Sequence, residues 1–421
     1  MDKFNTLCWQ YKRDILNFSE KICKGISRPK FKLMTNLLYG ISESNSCHLS
    51  KIGRALKENI SLKKTIDRLS RGIDTFEDGE KLLENYSNIV KTYVDDKSVF
   101  IVDGSDITKP YSVAMDGLAI VKDGSTGELK PGYITLEIAV LTSRSRSPIT
   151  VYDRLYSSRE ECFVSQDDET LKGLRCISET YGNKGIRTLD RGYDALTYYE
   201  HFFKAHEKFI IRAKKNRDVK YKGETINILK LANKFKGKYR IDFTGKDGRK
   251  VECKMTSIPI TLVKYPNKKL NLIVVYGFGA TPMLLITNLN SDDKRLSTIV
   301  TKVYLMRWRI EEHFRFRKNQ YGLEGFRVRS LNSIRTLHRV TAVLSGFVSM
   351  MSEKRDESLF VARLIEVSKR IYKPKKDKAK SKFMNYAIAD GIFLVLNKSK
   401  VGILHFLLPP KPSDQLSFFP V

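Results

Sequence analysis

Residues 302–318 read Lys-Val-Tyr-Leu-Met-Arg-Trp-Arg-Ile-Glu-Glu-His-Phe-Arg-Phe-Arg-Lys. Wound as one helix at ~100° per residue, Tyr304, Arg307, Glu311 and Lys318 fall within about a 60° arc. Val303, Met306, Ile310 and Phe314 fall within an adjacent arc of about 80°, a face suited to a core. One side thus buries the helix, and its neighbouring edge presents a carboxylate flanked by cations and a phenol. Glu312 projects about 100° away from Glu311, so Glu311 is the better ligand. Trp308 and Arg315 lie beside the polar stripe, where a flat indole is placed to stack on a base. A solvated amphipathic helix with incidental salt bridges also explains the charges. It explains less well why four such groups share one arc on a helix rich in Arg and poor in acids. His313, a single His without partners in the sequence, reads as structural.

Working outward, two carboxylates close strand-like runs. Residues 98–102, Ser-Val-Phe-Ile-Val, form a β-branched and aromatic run that ends at Asp103. Residues 186–189, Ile-Arg-Thr-Leu, end at Asp190. Ligands in open α/β sheets gather beyond strand ends. A strand-end Asp is also a routine turn former, and Gly104 and Gly192 follow closely. Asp106 and Asp194 compete with them for the same reading. Further strands are expected at 133–142, 149–155 and 208–213, with helices at 168–181 and 195–205. A short link, 143–148, joins the second and third strands as a hairpin. A three-stranded meander followed by crossover units predicts a mixed α/β sheet with helices on its faces. Residues 215–290 carry strand-like runs at 239–243, 251–255, 258–263, 272–277 and 283–289. Lys246-Asp247-Gly248 and Pro266-Asn267 read as turns between them. This stretch is expected to be a β-rich insert, followed by helices at 292–324 and 332–352.

Residues 1–95 read as helical, with apolar positions recurring every three or four residues. Within them, 49–56 and 62–69 read as two helices broken at Asn59-Ile60-Ser61. Lys57, Lys63, Lys64 and Arg68 cluster at the second. That suits a helix-turn-helix reading head, and equally an ordinary hairpin with a basic face. Across 421 residues, 76 Lys and Arg oppose 47 Asp and Glu, a formal net charge of +29. Such an excess points to a polyanion partner. The apolar stretch 272–287 is interrupted by Gly277, Gly279 and Pro282 and is too short to span a bilayer. The N-terminus lacks a signal-peptide layout. The six Cys form no C-x-x-C pair and no zinc spacing, which suits reduced thiols in the cytoplasm. Residues 373–382 hold six Lys against one Asp and read as an exposed linker or phosphate-contacting patch.

Tyr304-x-x-Arg307-x-x-x-Glu311-x-x-x-x-x-x-Lys318 resembles in full the Tyr-Arg-Glu-Lys signature of IS4-family transposases, enzymes of bacterial insertion sequences. Arg307-Trp308-Arg309-Ile310-Glu311-Glu312 is similar to the family's best-preserved stretch. Asp103-Gly104-Ser105-Asp106 looks like its first-Asp motif, and Asp190-Arg191-Gly192-Tyr193-Asp194 like its second. The resemblance covers roughly residues 98–350. It implies a ribonuclease-H-like α/β catalytic core with a β-rich insert before the catalytic helix, which joins the helical N-terminal domain read from periodicity. The expected division is 1–95 for DNA binding, 96–214 and 291–355 for the core, 215–290 for the insert, and 356–421 for dimerisation or DNA contact. It assigns Asp103, Asp190 and Glu311 as the catalytic triad and as ligands of two Mg²⁺ ions, with Mn²⁺ as a substitute. Tyr304, Arg307, Trp308, Arg309, Arg315 and Lys318 would contact DNA. The implied partners are double-stranded element ends and target DNA, bound by a homodimer in the bacterial cytoplasm, without a membrane role. Two other readings compete: a structure-specific Mg²⁺-dependent endonuclease on the same fold, and a repurposed, non-catalytic DNA-binding protein.

Overall fold

The structure is a computed structural model that describes residues 3–144, 147–244, 250–369 and 383–406. Residues 145–146 of the expected hairpin link, the turn at 246–248, the run 373–382 and the chain beyond 406 lie outside the described residues. Five helices come first: α1 (Lys3–Ile22), α2 (Arg28–Ser44), α3 (Leu49–Ala55), α4 (Leu62–Asp74) and α5 (Gly79–Val90). Then follow β1 (Val99–Thr108), β2 (Ala119–Lys122), β3 (Leu129–Leu141), β4 (Ile149–Tyr156), α6 (Gln166–Tyr181), β5 (Ile186–Leu189), α7 (Leu196–Ala205) and β6 (Lys208–Arg212). The next stretch holds β7 (Asp218–Tyr221), β8 (Glu224–Asn227), α8 (Ile228–Asn233), β9 (Tyr239–Thr244), β10 (Lys250–Leu262), β11 (Tyr265–Tyr276) and β12 (Met283–Thr287). The chain closes with α9 (Asp293–Met306), α10 (Arg309–Gln320), α11 (Leu331–Glu353), α12 (Leu359–Lys369) and α13 (Met384–Asn397).

The central strands are buried on both faces. Val99, Phe100, Ile101 and Val102 are buried, as is all of β5. Strands of that kind belong in the middle of a sheet covered by helices on both sides. β1, β5 and β6 run parallel, whereas β3 is antiparallel to both β1 and β4. The resulting order, β4-β3-β1-β5-β6, is the ribonuclease-H-like core. Gly185, at φ +73°, admits β5 tightly beside β1: a Cβ there would lie 2.6 Å from the Ser98 carbonyl oxygen.

The β-rich stretch 215–290 joins the central sheet, because β12 pairs with β6. Two expectations change. The expected turn at Pro266-Asn267 lies inside β11, and the reversal falls three residues earlier, between Leu262 and Tyr265. Residues 292–324 are not one helix. The chain breaks at Arg307 and Trp308, where Arg307 N–H donates to the Tyr304 carbonyl and Ile310 N–H to that of Arg307. These three-residue spacings tighten the chain between α9 and α10. Among the described residues, no helix is long and apolar enough to cross a membrane.

Candidate active site

Pairing register builds the first half of the site. β1 and β5 pair up to Val102 and Leu189, so the next residue on each strand is an Asp at the same end of the sheet. Parallel neighbours lie ~4.8 Å apart, which sets Asp103 and Asp190 side by side. The helix break supplies the second half. It carries Arg307 inward, where its Nη1 donates to Asp103 Oδ2 at 2.6 Å. Nη2 lies 3.9 Å from Asp190 Oδ2 and 3.6 Å from Glu311 Oε1. Tyr304 donates its hydroxyl to Asp190 Oδ1 at 2.9 Å. Both Tyr304 and Arg307 are buried, so the polar edge of the helix faces the strand ends rather than solvent. Ile310 takes the core-facing role assigned to it, with Val303, Met306 and Phe314 packed partly buried around it.

The competing aspartates are separated by their partners. Asp194 is buried and fully engaged. It accepts from the Tyr199 hydroxyl, Lys214 N–H and Arg217 Nε at 2.7–2.8 Å, which ties the turn after β5 to the exit of β6. Asp106, further along β1, accepts from Gly124 N–H at 3.0 Å in the link between β2 and β3, and its Oδ2 lies 4.0 Å from Lys318 Nζ. Lys318 sits apart from the three carboxylates. It donates to the Asp106 carbonyl at 2.8 Å and pairs with Glu324 at 2.9 Å. Trp308 and Arg309 stand half-buried at the start of α10. Arg315 is exposed and pairs with Glu312 at 2.5 Å. The structure therefore gathers Asp103, Asp190, Glu311, Tyr304 and Arg307, and leaves Lys318 and Arg315 outside the cluster.

Electrostatics follow from this crowding. Burial pushes the Asp103 carboxyl up to about 6; Arg307 opposes the shift, and the charges of Asp190 and Glu311 add to it. Burial also works on Asp190. There Arg307, the Arg191 N–H and the Tyr304 hydroxyl prevail and hold the group below the ordinary carboxylate value. Among the described residues no group of three His, Cys, Asp or Glu side chains is placed to hold a metal ion. The guanidinium of Arg307 lies within 2.6–3.9 Å of all three carboxylates and is the cation that faces them. The donor set is all oxygen, which suits a hard divalent ion such as Mg²⁺.

Sequence reasoning missed several neighbours. Arg212, at the end of β6, lies 3.9 Å from Asp190. Glu137, Asp153, Arg317 and His338 are buried beside the site. Their visible signal was a lone Glu inside the apolar run 136–141. A buried carboxylate requires a buried partner.

A family model described as transposase DDE domain matches residues 95–342. No curated protein matches the chain. Among solved structures, the chain is similar to the piggyBac transposase synaptic complex with hairpin DNA, determined by cryo-EM. The identity is 9%, covering 99% of this chain and 81% of that one, with a TM-score of 0.47. It is also similar to the catalytic domain of human endonuclease V, at 13% identity over 58% of this chain and 98% of that one, with a TM-score of 0.24.

Proposed function

The chain belongs to the DDE transposase family, and from that premise we propose that it is the transposase of an IS4-type bacterial insertion sequence. It binds the element ends, cuts them by metal-dependent hydrolysis and joins the freed 3′ ends to target DNA. The observation that carries this reading is the convergence of Asp103, Asp190 and Glu311 on one guanidinium within 2.6–3.9 Å.

The three carboxylates would hold divalent ions, Mg²⁺ or its substitute Mn²⁺. When bound, such a pair activates the attacking oxygen and stabilises the leaving 3′-oxygen. The remaining work belongs to the chain's own groups. Asp103 and Asp190 are fixed by adjacent strands, and Glu311 arrives on α10. Arg307 offers a planar fork to a phosphate once it is released from Asp103, and Tyr304 offers a hydroxyl. Lys318 adds a point charge at the rim, with Trp308, Arg309 and Arg315 further along the same helix. Residues 1–95 would grip the DNA ends, and pairing two ends would call for a homodimer.

The test uses DNA carrying the gene's own native flanks, a supercoiled target plasmid and Mg²⁺. Every new 3′ end and every joined product is mapped for wild type and Glu311→Gln. Cuts at both flanks joined to target by wild type alone are expected. Cuts without joining would favour a structure-specific endonuclease. Binding without cuts by either protein would favour a repurposed DNA-binding protein.

A further inference from the structure

A row of carboxylates crosses the sheet beside the site. Asp103 on β1 pairs with Glu137 on β3, and Glu137 pairs with Asp153 on β4. Directly paired residues in antiparallel strands share a face, so the three acids lie side by side on three neighbouring strands. Arg307 answers Asp103. Arg317, on α10, answers the other two. Its Nη1 lies 2.5 Å from Glu137 Oε2 and 2.9 Å from Asp153 Oδ1, and its Nη2 donates to the His338 carbonyl at 2.8 Å. His313 Nε2 stands 2.9 Å from Glu137 Oε1 and 3.0 Å from Thr150 Oγ1. His338 Nδ1, on α11, stands 2.8 Å from Asp153 Oδ2. Each of these five ionisable side chains is at most 3% exposed.

A helix is ordinarily held to a sheet by an apolar face. The buried face of α10 is instead Ile310, His313, Phe316, Arg317 and Gln320. Removing this many charges from water is costly, and well-packed apolar residues would hold the helix at least as firmly. What apolar contacts lack is direction. A guanidinium whose Nη1 bridges two carboxylates on two strands, and whose Nη2 holds the His338 carbonyl on α11, fixes both the rotation and the height of the helix. The residue that needs such fixing is Glu311, in the first turn of α10. Asp103 and Asp190 are set by strand register, but the distance from Glu311 to them depends on where α10 lies.

We propose that Arg317, together with Glu137, Asp153, His313 and His338, forms a positioning device. It sets α10 so that Glu311 completes a divalent-cation site with Asp103 and Asp190. The inference rests on the metal-dependent reading of those three carboxylates. It assigns the five buried groups no contact with substrate or metal.

The test is the triple variant Glu137→Gln/Asp153→Asn/Arg317→Met in the full chain. It removes the paired charges at nearly constant volume, so no buried charge is left unpaired. Mn²⁺ binding is followed by electron paramagnetic resonance. Cleavage of DNA bearing the native flanks is followed over the same Mn²⁺ series. The triple is expected to keep the wild-type circular dichroism and DNA affinity, while half-saturating Mn²⁺ rises about tenfold or more. Wild-type Mn²⁺ affinity in a folded triple overturns the proposal. Should the triple not fold, Arg317→Lys carries the same test, because it keeps the charge and loses the second nitrogen that holds α11 through the His338 carbonyl. Its half-saturating Mn²⁺ must then rise, and an unchanged value overturns the proposal. Glu311→Gln runs alongside. If wild type binds no Mn²⁺, or Glu311→Gln binds it as wild type does, the metal reading itself fails and the positioning role falls with it.

Discussion

Arg307 reaches Asp103, Asp190 and Glu311 with one guanidinium, and it is itself buried. Three acids converging at a strand end repel one another, so in the absence of a divalent ion this Arg holds them together. Arg307→Met should therefore cost roughly 3 kcal/mol, the scale for breaking a buried pair. Thermal melts in chelator should show the loss, and Mn²⁺ should raise the variant's melting temperature more than it raises wild type's. An equal response to Mn²⁺ would mean that Arg307 does not stand in for a cation. Asp103 makes a second, pH-dependent prediction. Its carboxyl is raised from 3.8 to about 6 in the folded chain, so between those values the native state holds a proton that the unfolded state has lost. Stability from this group is full below 3.8 and declines as pH rises through about 6. In chelator, the melting temperature of wild type should fall across that window more than that of Asp103→Asn. Parallel curves for the two proteins would refute the assignment.

At the scale of elements, strands were easier to read than helix geometry. The apolar run ending at Asp103 located β1 because a doubly buried strand leaves a local signal, and the short run 186–189, β-branched at Ile186 and Thr188, located β5. The Tyr304–Lys318 pattern located the helical region but not its break. No Gly or Pro marks residues 307 and 308, and the tightened turn is imposed by Arg307 reaching carboxylates roughly 120 and 200 positions away, beyond what a helical period can report. β2, β7 and β8 went unseen for a related reason: at four residues each, they show too little alternation to register. Of the buried Glu137–Arg317–Asp153 cluster only Glu137 left a signal, as a lone carboxylate in an apolar run, because Arg317 comes from a helix far along the chain. One junction between elements can be tested directly. Ser330 caps α11 by accepting from Ser333 N–H at 3.1 Å, and its hydroxyl also bonds Asp74 at the end of α4. Ser330→Ala removes the cap and the tie together, with an expected cost of about 1 kcal/mol or slightly more in urea unfolding. A change within error would mean that the N-terminal helices hold to α11 without this bond.

At the scale of the whole molecule, the excess of 29 positive charges must be divided between groups the fold uses internally and groups free to meet DNA. The basic cluster near α3 and α4 illustrates the division. Lys57 pairs with the buried carboxylate of Glu43 at 2.6 Å, and Arg68 pairs with Glu58 at 2.5 Å, so both serve the fold. Lys63 and Lys64 are exposed in the first turn of α4. If α4 meets the phosphate backbone, those two should carry the contact. Each phosphate neutralised contributes about −0.9 to the slope of log affinity against log salt. Replacing both with Ala should therefore weaken binding to the native flanks and make the slope shallower by about 2. The cleavage rate at saturating DNA should be unchanged, because the side chains that reach Asp103, Asp190 and Glu311 are those of Tyr304, Arg307 and Arg212, none of them on α4. Titration from low to moderate salt by fluorescence anisotropy reads the slope, and single-turnover cleavage reads the rate. An unchanged slope would move the DNA-gripping surface away from α4, whereas a lost cleavage rate at saturation would mean that α4 helps deliver the scissile phosphate to the carboxylates rather than merely holding the DNA.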